Sequence, residues 1–492
     1  MESTAGPDGF WGTADHIFRD GIVAPIEAVL FFDVAFWTQD YNLPGVVLWM
    51  GLGAVFFTLR FQFINLRAFR HAIDCVRGQY SRPDDPGEIS HFQALSAALS
   101  ATVGLGNIAG VAIAVGLGGP GAVVWMVLMG FFGMSAKFAE CTLAQLFRVK
   151  RADGHVAGGP MLYLRDGLAE LGWARLGRSL SALFAVMCIG GSFGGGNMFQ
   201  SNQAYAQFAT SFPGVVSSLG SWAPIGFGLI LATLVGLVIV GGIRRIGEVA
   251  GVLVPGMCVL YVLAGLSVLL VHAGEVPRAL GVMLSSAFSL DAGIGGLIGT
   301  MIQGFRRAAF SNEAGTGSAA IAHSAAATPE PVREGIVALL EPFIDTLVVC
   351  TMTGLVIVVT GAYTIEGVSG IQMTSRAFET VFPWFKYLLA GIAVLFAFST
   401  MISWSYYGEQ CWVHLFGLRS LFVYQIVFVL FAWSGAIFDA GSVVDFGDLM
   451  ILGMALPNIA GVALMSGKIK RELDRYLAKL ASGEFQRPPA SA

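Results

Sequence analysis

Ala101-Thr102-Val103-Gly104-Leu105-Gly106-Asn107-Ile108-Ala109-Gly110 interrupts an apolar run from about Ala94 to Gly118 with a glycine-rich, polar centre. A second interruption, Ser311-Asn312-Glu313-Ala314-Gly315-Thr316-Gly317-Ser318, divides the run from about Ala292 to Ala325. Each run is long enough to cross a bilayer, yet each carries residues that a continuous helix in lipid disfavours. Backbone polar groups at membrane depth must be satisfied internally, so unwound chain survives there only when buried or lining a cavity. Two Gly-interrupted spans at matching positions of two halves point to the substrate site of a secondary transporter.

The rest of the chain agrees with a membrane setting. Of its 492 residues 55% are hydrophobic and only 12% charged, against roughly 25% charged in soluble domains. Mean hydropathy is +0.71. The net charge of −4 says little about partners, and no nucleic acid is expected among them. Met1 to Gly12 holds no basic segment followed by an apolar one, so no cleaved signal peptide is expected. The six cysteines are scattered without C-x-x-C spacing and read as small apolar packers, not disulfides or metal ligands.

Apolar stretches able to cross ~30 Å of hydrocarbon fall at 44–62, 94–118, 120–147, 179–210, 222–242, 249–272, 292–325, 336–360, 385–412, 421–438 and 445–466. The predicted fold class is therefore an all-α polytopic membrane protein of about eleven spans. Ile17 to Trp37 mixes Arg19, Asp20, Glu27 and Asp33 with aromatics and reads as an interfacial helix. The breaks fall in the second and seventh spans. With the first span set aside, each opens a group of five, and five spans reverse the direction of the next group. The halves, about 94–272 and 292–466, are then inverted repeats. The expected organisation is an N-terminal extracytoplasmic or interfacial segment (1–43), a transporter domain (44–466) and a cytoplasmic tail (467–492), whose Pro488-Pro489 end reads as disordered. Of the 28 Lys and Arg, 20 lie in 63–93, 148–178, 243–248, 326–335, 413–420 and the tail, and four on the opposite side. Basic loops stay inside. A multi-pass cell (inner) membrane protein with its N-terminus outside and C-terminus cytoplasmic is predicted.

Several polar residues at membrane depth are candidates for chemistry. Around Gly104, Leu105 and Gly106, glycines free the backbone to approach a ligand. The half-helix after Asn107 points its positive end at the same spot, which suits a carboxylate. Carbonyls freed from Ser100 to Val103 suit Na⁺. Gly106 and Gly110 also form a small-xxx-small packing face. In the second break Asn312 and Glu313 place an acid at membrane depth, with Arg306 and Arg307 one to two turns earlier as possible neutralising partners. Asp345 sits near the middle of the span 336–360, with Glu341 one turn earlier. Its partner is either a bound cation or the Arg306–Arg307 pair. Asn197, Gln200, Gln203 and Gln207 form a polar stripe that lines a pathway or bridges helices; lining is favoured for Asn197 and Gln200. Ser399 and Thr400 offer adjacent hydroxyls, hard ligands for Na⁺. Trp404, one turn after Thr400, is the expected wall of a small side-chain pocket.

At these residues the chain resembles the sodium:alanine/glycine symporter family (alanine or glycine:cation symporters). Gly119-Pro120-Gly121-Ala122 with Trp125-Met126, then Gly133-Met134 and Lys137-Phe138-Ala139-Glu140, carry the likeness. So do Ser311 to Ser318, Ile321-Ala322-His323, Pro331-Val332-Arg333-Glu334-Gly335, Phe343-Ile344-Asp345-Thr346 and Trp404-Ser405-Tyr406-Tyr407-Gly408-Glu409. The resemblance implies the leucine-transporter fold, two inverted five-helix repeats after one extra helix, with Na⁺ or H⁺ driving uptake of alanine or glycine. It implies no organic cofactor, Na⁺ as coupling ion, and no transition metal. Many members have Thr where this chain has Leu105. Val103-Gly104-Leu105-Gly106-Asn107 instead looks like the unwound segment of the neurotransmitter:sodium symporters, in which backbone N–H groups hold the substrate carboxylate and the Asn ligates Na⁺.

Three other functions compete. An H⁺-coupled symporter would use Glu313 or Asp345. A membrane-embedded hydrolase is disfavoured by the lack of H-E-x-x-H and G-x-S-x-G and by seven dispersed histidines. A channel is disfavoured because inverted breaks in one asymmetric chain suit alternating access.

Overall fold

A computed structural model describes residues 16–36, 42–151, 154–290 and 293–485. The expected reading of Met1 to Gly12 and of the Pro488-Pro489 tail lies outside the described residues.

All eleven expected spans are helical. Eight are long, apolar helices: Ala122–Leu146, Ala174–Ser211, Trp222–Ile239, Gly242–Val271, Pro331–Val359, Phe385–Phe416, Leu418–Gly435 and Ala440–Leu464. The first span, Gly45–Arg60, is shorter. The second is two pieces, His91–Thr102 and Gly106–Gly118, bent by 50° at the break. The seventh runs Gly293–Asn312, unwinds, and resumes at Ala319–His323.

Local chemistry sets where these helices begin and end. Ser90 and Gln93 form a reciprocal capping box at the second span. Asp439 accepts from the Gly441 amide at the start of the eleventh. Gly417, at φ 79°, ends the ninth. Burial divides the spans into two classes. The fifth and sixth expose Leu229, Ile230, Val252 and Leu270, apolar surface that only lipid covers favourably. Residues 101–110 and 311–320 are buried throughout, so both breaks lie in the protein interior, as unwound backbone in a membrane requires.

Two loops proved to be helical. Val276–Phe288 precedes the seventh span, burying Ala279, Met283 and Ala287 at a four-residue spacing; Trp125 Nε1 donates to the Ala287 carbonyl over 2.9 Å. Ile371–Glu379 lies between the eighth and ninth spans. Both carry too few apolar residues to cross a membrane, so a search for spans passes over them. The N-terminal helix Ala24–Leu30 follows Phe18, whose ring meets Phe446 and Phe438 at 5.1 and 5.5 Å. The C-terminal helix Ser466–Ala481 buries Ile469, Leu473 and Tyr476. Tyr476 Oη lies 2.7 Å from His71 Nε2, and Lys479 pairs with Glu330 at 2.8 Å. Burial and the nearby Arg333 push the His71 imidazole down to about 4, which holds it neutral at that joint.

Candidate substrate and cation site

The first break is produced by diverted amides. In an unbroken helix the Gly104 and Leu105 N–H groups would bond to the carbonyls of Ser100 and Ala101. Gly104 N–H instead donates to the Thr102 carbonyl (2.9 Å) and to Asn107 Oδ1 (3.0 Å). Leu105 N–H donates to Gln200 Oε1 at 3.1 Å, from the fourth span. The Ser100 and Ala101 carbonyls thereby lose their helical partners. Beside Gly104 stands Thr400 of the ninth span, whose buried Oγ1 has no hydrogen-bond partner among the described residues. A Cβ placed on Gly104 would meet that oxygen at 2.3 Å, so glycine is needed there for close approach.

Asn107 ties this region to Asp345, 238 residues away. Its Nδ2 donates to Asp345 Oδ1 at 2.5 Å. Asp345 Oδ2 accepts from Ser311 Oγ (2.9 Å) and Thr346 Oγ1 (2.7 Å). Asn312 Nδ2 donates to Thr346 Oγ1 at 2.9 Å, and Asn312 Oδ1 caps the Ala314 amide. The carboxylate is fully buried, held by neutral donors, and forms no ion pair among the described residues. This arrangement corrects one expectation. Arg306 and Arg307 both bind Asp448 of the eleventh span, Arg306 at 2.9 Å, and neither serves Asp345 or Glu313. Charge spacing along one helix could not reveal a partner 141 residues away.

The second break is held open by its own side chains. Glu313 adopts a left-handed conformation (φ 55°), as do Gly315 and Gly317 (φ 90° and 87°), which ends the helix. Ser318 Oγ donates to the Glu313 carboxylate, and Thr316 Oγ1 donates to its carbonyl at 2.7 Å. The positive charge facing Glu313 is Lys137 of the third span, whose Nζ bonds to Glu341 at 3.0 Å. Glu341 is therefore engaged with Lys137, although its spacing placed it on the face of Asp345. Asn458 Nδ2 reaches Glu140 Oε1 at 2.8 Å and the Gly315 carbonyl at 2.9 Å.

Of the polar stripe, Gln200 alone reaches a break. Asn197 Nδ2 donates to the Phe428 carbonyl at 2.7 Å, so Asn197 bridges to the tenth span and bonds to neither break. Gln207 similarly bridges to Ser375 and the Lys386 carbonyl. The expected hydroxyl pair also separates. Ser399 Oγ donates to the Phe396 carbonyl of its own helix (3.0 Å), while its carbonyl accepts from Ser100 Oγ (2.7 Å). Neighbouring helical residues point about 100° apart, which leaves Thr400 at the break. Trp404 is buried against Gly191 and Gly196, close enough that a Cβ on Gly196 would fall 2.2 Å from the indole. Gly196 lies one turn before Gln200, the residue that holds Leu105. Sequence reasoning passed over the Gly190-to-Gly196 run, Asn458, and Ser311 and Thr346 as partners of Asp345. A dense glycine run and an Asn in apolar spans were the available signals.

A cavity of about 560 Å³ approaches this site from the face bearing residues 367–372 and 439–441. Ala112, Ile113 and Gln203 line its inner end.

A family model for the sodium:alanine symporter family matches residues 29–489. The chain belongs to the sodium:alanine symporter family. It is 42% identical over 435 residues to the sodium/alanine symporter AgcS of Methanococcus maripaludis, covering 88% of this chain and 93% of that protein. It is 35% identical over 444 residues to the "Probable sodium/glutamine symporter GlnT" of Bacillus subtilis, covering 89% of each. The crystal structure of MhsT in complex with L-phenylalanine superimposes with a TM-score of 0.54 at 15% identity, covering 77% of this chain and 89% of MhsT. The fold is thus of the leucine-transporter type, with paired broken helices and one extra N-terminal helix. The protein is a multi-pass membrane transporter of a symporter family, not an enzyme.

Proposed function

We propose that this protein is a Na⁺-coupled symporter that brings a small neutral amino acid, alanine or glycine, into the cell by alternating access. The observation that carries this reading is the paired, buried oxygen sites at the breaks. One is the Asp345 carboxylate, held by donors from Asn107 Nδ2, Ser311 and Thr346 and in need of a cation because an uncompensated charge in a low-dielectric interior costs several kcal/mol. The other joins the freed carbonyls around Ser100 and Val103 to Thr400. Hard oxygen ligands of this kind suit Na⁺. The substrate carboxylate binds the amides of Gly104, Leu105 and Gly106. There it replaces the neutral oxygens of Asn107 and Gln200, since charge-assisted hydrogen bonds are stronger. Asn312 and Glu313 of the second break receive the ammonium group. The sodium/alanine name of AgcS supports the same substrate and ion.

Counterflow of labelled alanine and glycine in proteoliposomes, with and without a Na⁺ gradient, tests the reading directly. Na⁺-dependent counterflow of either amino acid is expected. Drive by a pH gradient alone would make the coupling ion H⁺, and absence of counterflow would remove the symporter reading.

Three further results are expected. Thr400→Ala weakens Na⁺ activation at least ~10-fold, or ~1.4 kcal/mol, whereas Ser399→Ala changes it less than about twofold because its hydroxyl bonds its own helix. Equal Na⁺ curves for Thr400→Ala and wild type would rule out that ligand. Trp404→Ala admits leucine or methionine while weakening alanine uptake, since a rigid ring excludes longer side chains that would each gain only ~1–3 kcal/mol per methylene in a fitting pocket. A folded variant that transports alanine normally and still refuses leucine would place Trp404 outside the pocket. A reporter fused after Ala492 is active only on the cytoplasmic side, given the loop charge bias; activity outside would reverse the proposed orientation.

A further inference from the structure

The ninth span carries a row of hydroxyls of which only Thr400, at the proposed cation site, has a role so far. Thr400, Ser403 and Tyr407 recur at intervals of three and four, which puts them on one helix face. All three are about 1% exposed, and none of their hydroxyls has a hydrogen-bond partner among the described residues. A buried hydroxyl without a partner is destabilising, because nothing offsets the loss of its hydrogen bonds to water. Single cases occur in any protein, but three in succession along one face call for a common cause. Neighbouring residues on the same helix show that partners were within the fold's means: Ser399 and Ser405 both donate to carbonyls one turn back.

The position of the row supplies that cause. Its first member, Thr400, touches the first break at Gly104. Its last, Tyr407, is buried two turns further along, where its ring meets Trp404 edge-on at 5.4 Å. Three residues further on, Gln410 Oε1 accepts from Arg151 at 3.2 Å. Gln410 also lines a surface cavity of about 350 Å³ with His414 and Leu418. Thr400 to Gln410 spans ~15 Å of helix. The row therefore runs from the central site to the face opposite the 560 Å³ vestibule. The vestibule opens one half of a path; the row lies closed in the other.

We propose that Ser403 and Tyr407 line the second half of the permeation path and hand the polar end of the amino acid, its ammonium or carboxylate, from the break region towards Gln410. The inference rests on the symporter reading above. Tyr407 is a positioning residue for the passing substrate, with no part in holding Na⁺. In the closed arrangement its hydroxyl gives up a hydrogen bond that it makes during passage.

The test uses Tyr407→Phe and Ser403→Ala in the full-length protein, reading both transport and thermal stability. Removing an unpartnered hydroxyl is neutral or stabilising for the fold, whereas removing a bonded one destabilises it. The melting temperature of each variant is therefore expected to stay level or rise. Alanine affinity and half-saturating Na⁺ stay within about twofold. Turnover in Na⁺-driven alanine uptake falls by about tenfold for Tyr407→Phe, the worth of one hydrogen bond to a charged group. A drop in melting temperature would show that the hydroxyl has a structural partner and overturn the proposal, whatever happens to uptake. Unchanged turnover with unchanged stability would also overturn it. Because wild-type counterflow is measured in parallel, loss of the symporter reading and loss of this inference give different results: the first silences the wild type, the second leaves it active beside an equally active Tyr407→Phe.

Discussion

Asp345→Asn should abolish Na⁺ stimulation of alanine uptake while leaving the protein folded. The substitution keeps shape and removes one negative charge. Ser311 and Thr346 can still donate to the remaining oxygen, and the bond lost is the one from Asn107 Nδ2. That loss, with two amide groups then facing each other, costs about 1–3 kcal/mol and is offset by removing a buried charge that has no cationic partner among the described residues. Stability therefore changes little, yet the carboxylate proposed to hold the cation is gone. The half-saturating Na⁺ concentration should rise at least ~100-fold, or ~2.8 kcal/mol. Melting curves and Na⁺ titrations of uptake on the same preparation separate the two effects. If Asp345→Asn retains the wild-type Na⁺ curve, Asp345 holds no coupling ion; if the variant instead unfolds, the carboxylate is a structural hub.

Lys137→Met is expected to fail in the opposite way, by destabilising the fold. Lys137 and Glu341 are both fully buried and joined at 3.0 Å, and Glu313 and Glu140 also face the ammonium. Methionine fills the volume but leaves Glu341 with His323, 3.7 Å away, as its remaining partner among the described residues, and breaking a buried pair in this way costs about 3–5 kcal/mol. A large fall in melting temperature and in yield from the membrane should follow. Adding Glu341→Gln removes the stranded charge and should recover most of that stability. Transport should remain impaired, because Glu313 has still lost the charge opposite it. A single variant as stable as wild type, or a double variant no better than the single, would show that the pair is not what holds these helices together.

The two variants probe features that the chain reveals unequally. The breaks are readable because the evidence for them is local. Glycines and polar residues within an apolar run have one physical consequence in a membrane, so Gly104 to Asn107 and Glu313 to Gly317 were marked before any contact was known. Span number follows from the same short-range logic, since ~30 Å of hydrocarbon sets a length that apolar runs either reach or miss. Val276–Phe288 escaped because a helix that only lies against the bundle has no such length to meet.

Partner choice among polar residues is of another kind. Spacing put Arg306 and Arg307 near Glu313, but the tertiary structure gives them Asp448 and sets Lys137 against Glu313 instead. Asn197 and Gln200 look equivalent on a helical wheel; only packing against the tenth span and the first break sends one to Phe428 and the other to Leu105. Ser399 and Thr400 are adjacent in sequence and diverge by one residue's turn of helix. Local pattern was enough for the membrane class, about eleven apolar runs, the two unwound segments and the charged residues that had to be buried with them. Which of those residues meet depends on how the helices pack. In a low-dielectric interior every buried charge and hydrogen-bonding group must find a partner, and the nearest partner in space lies on another helix as often as on the same one.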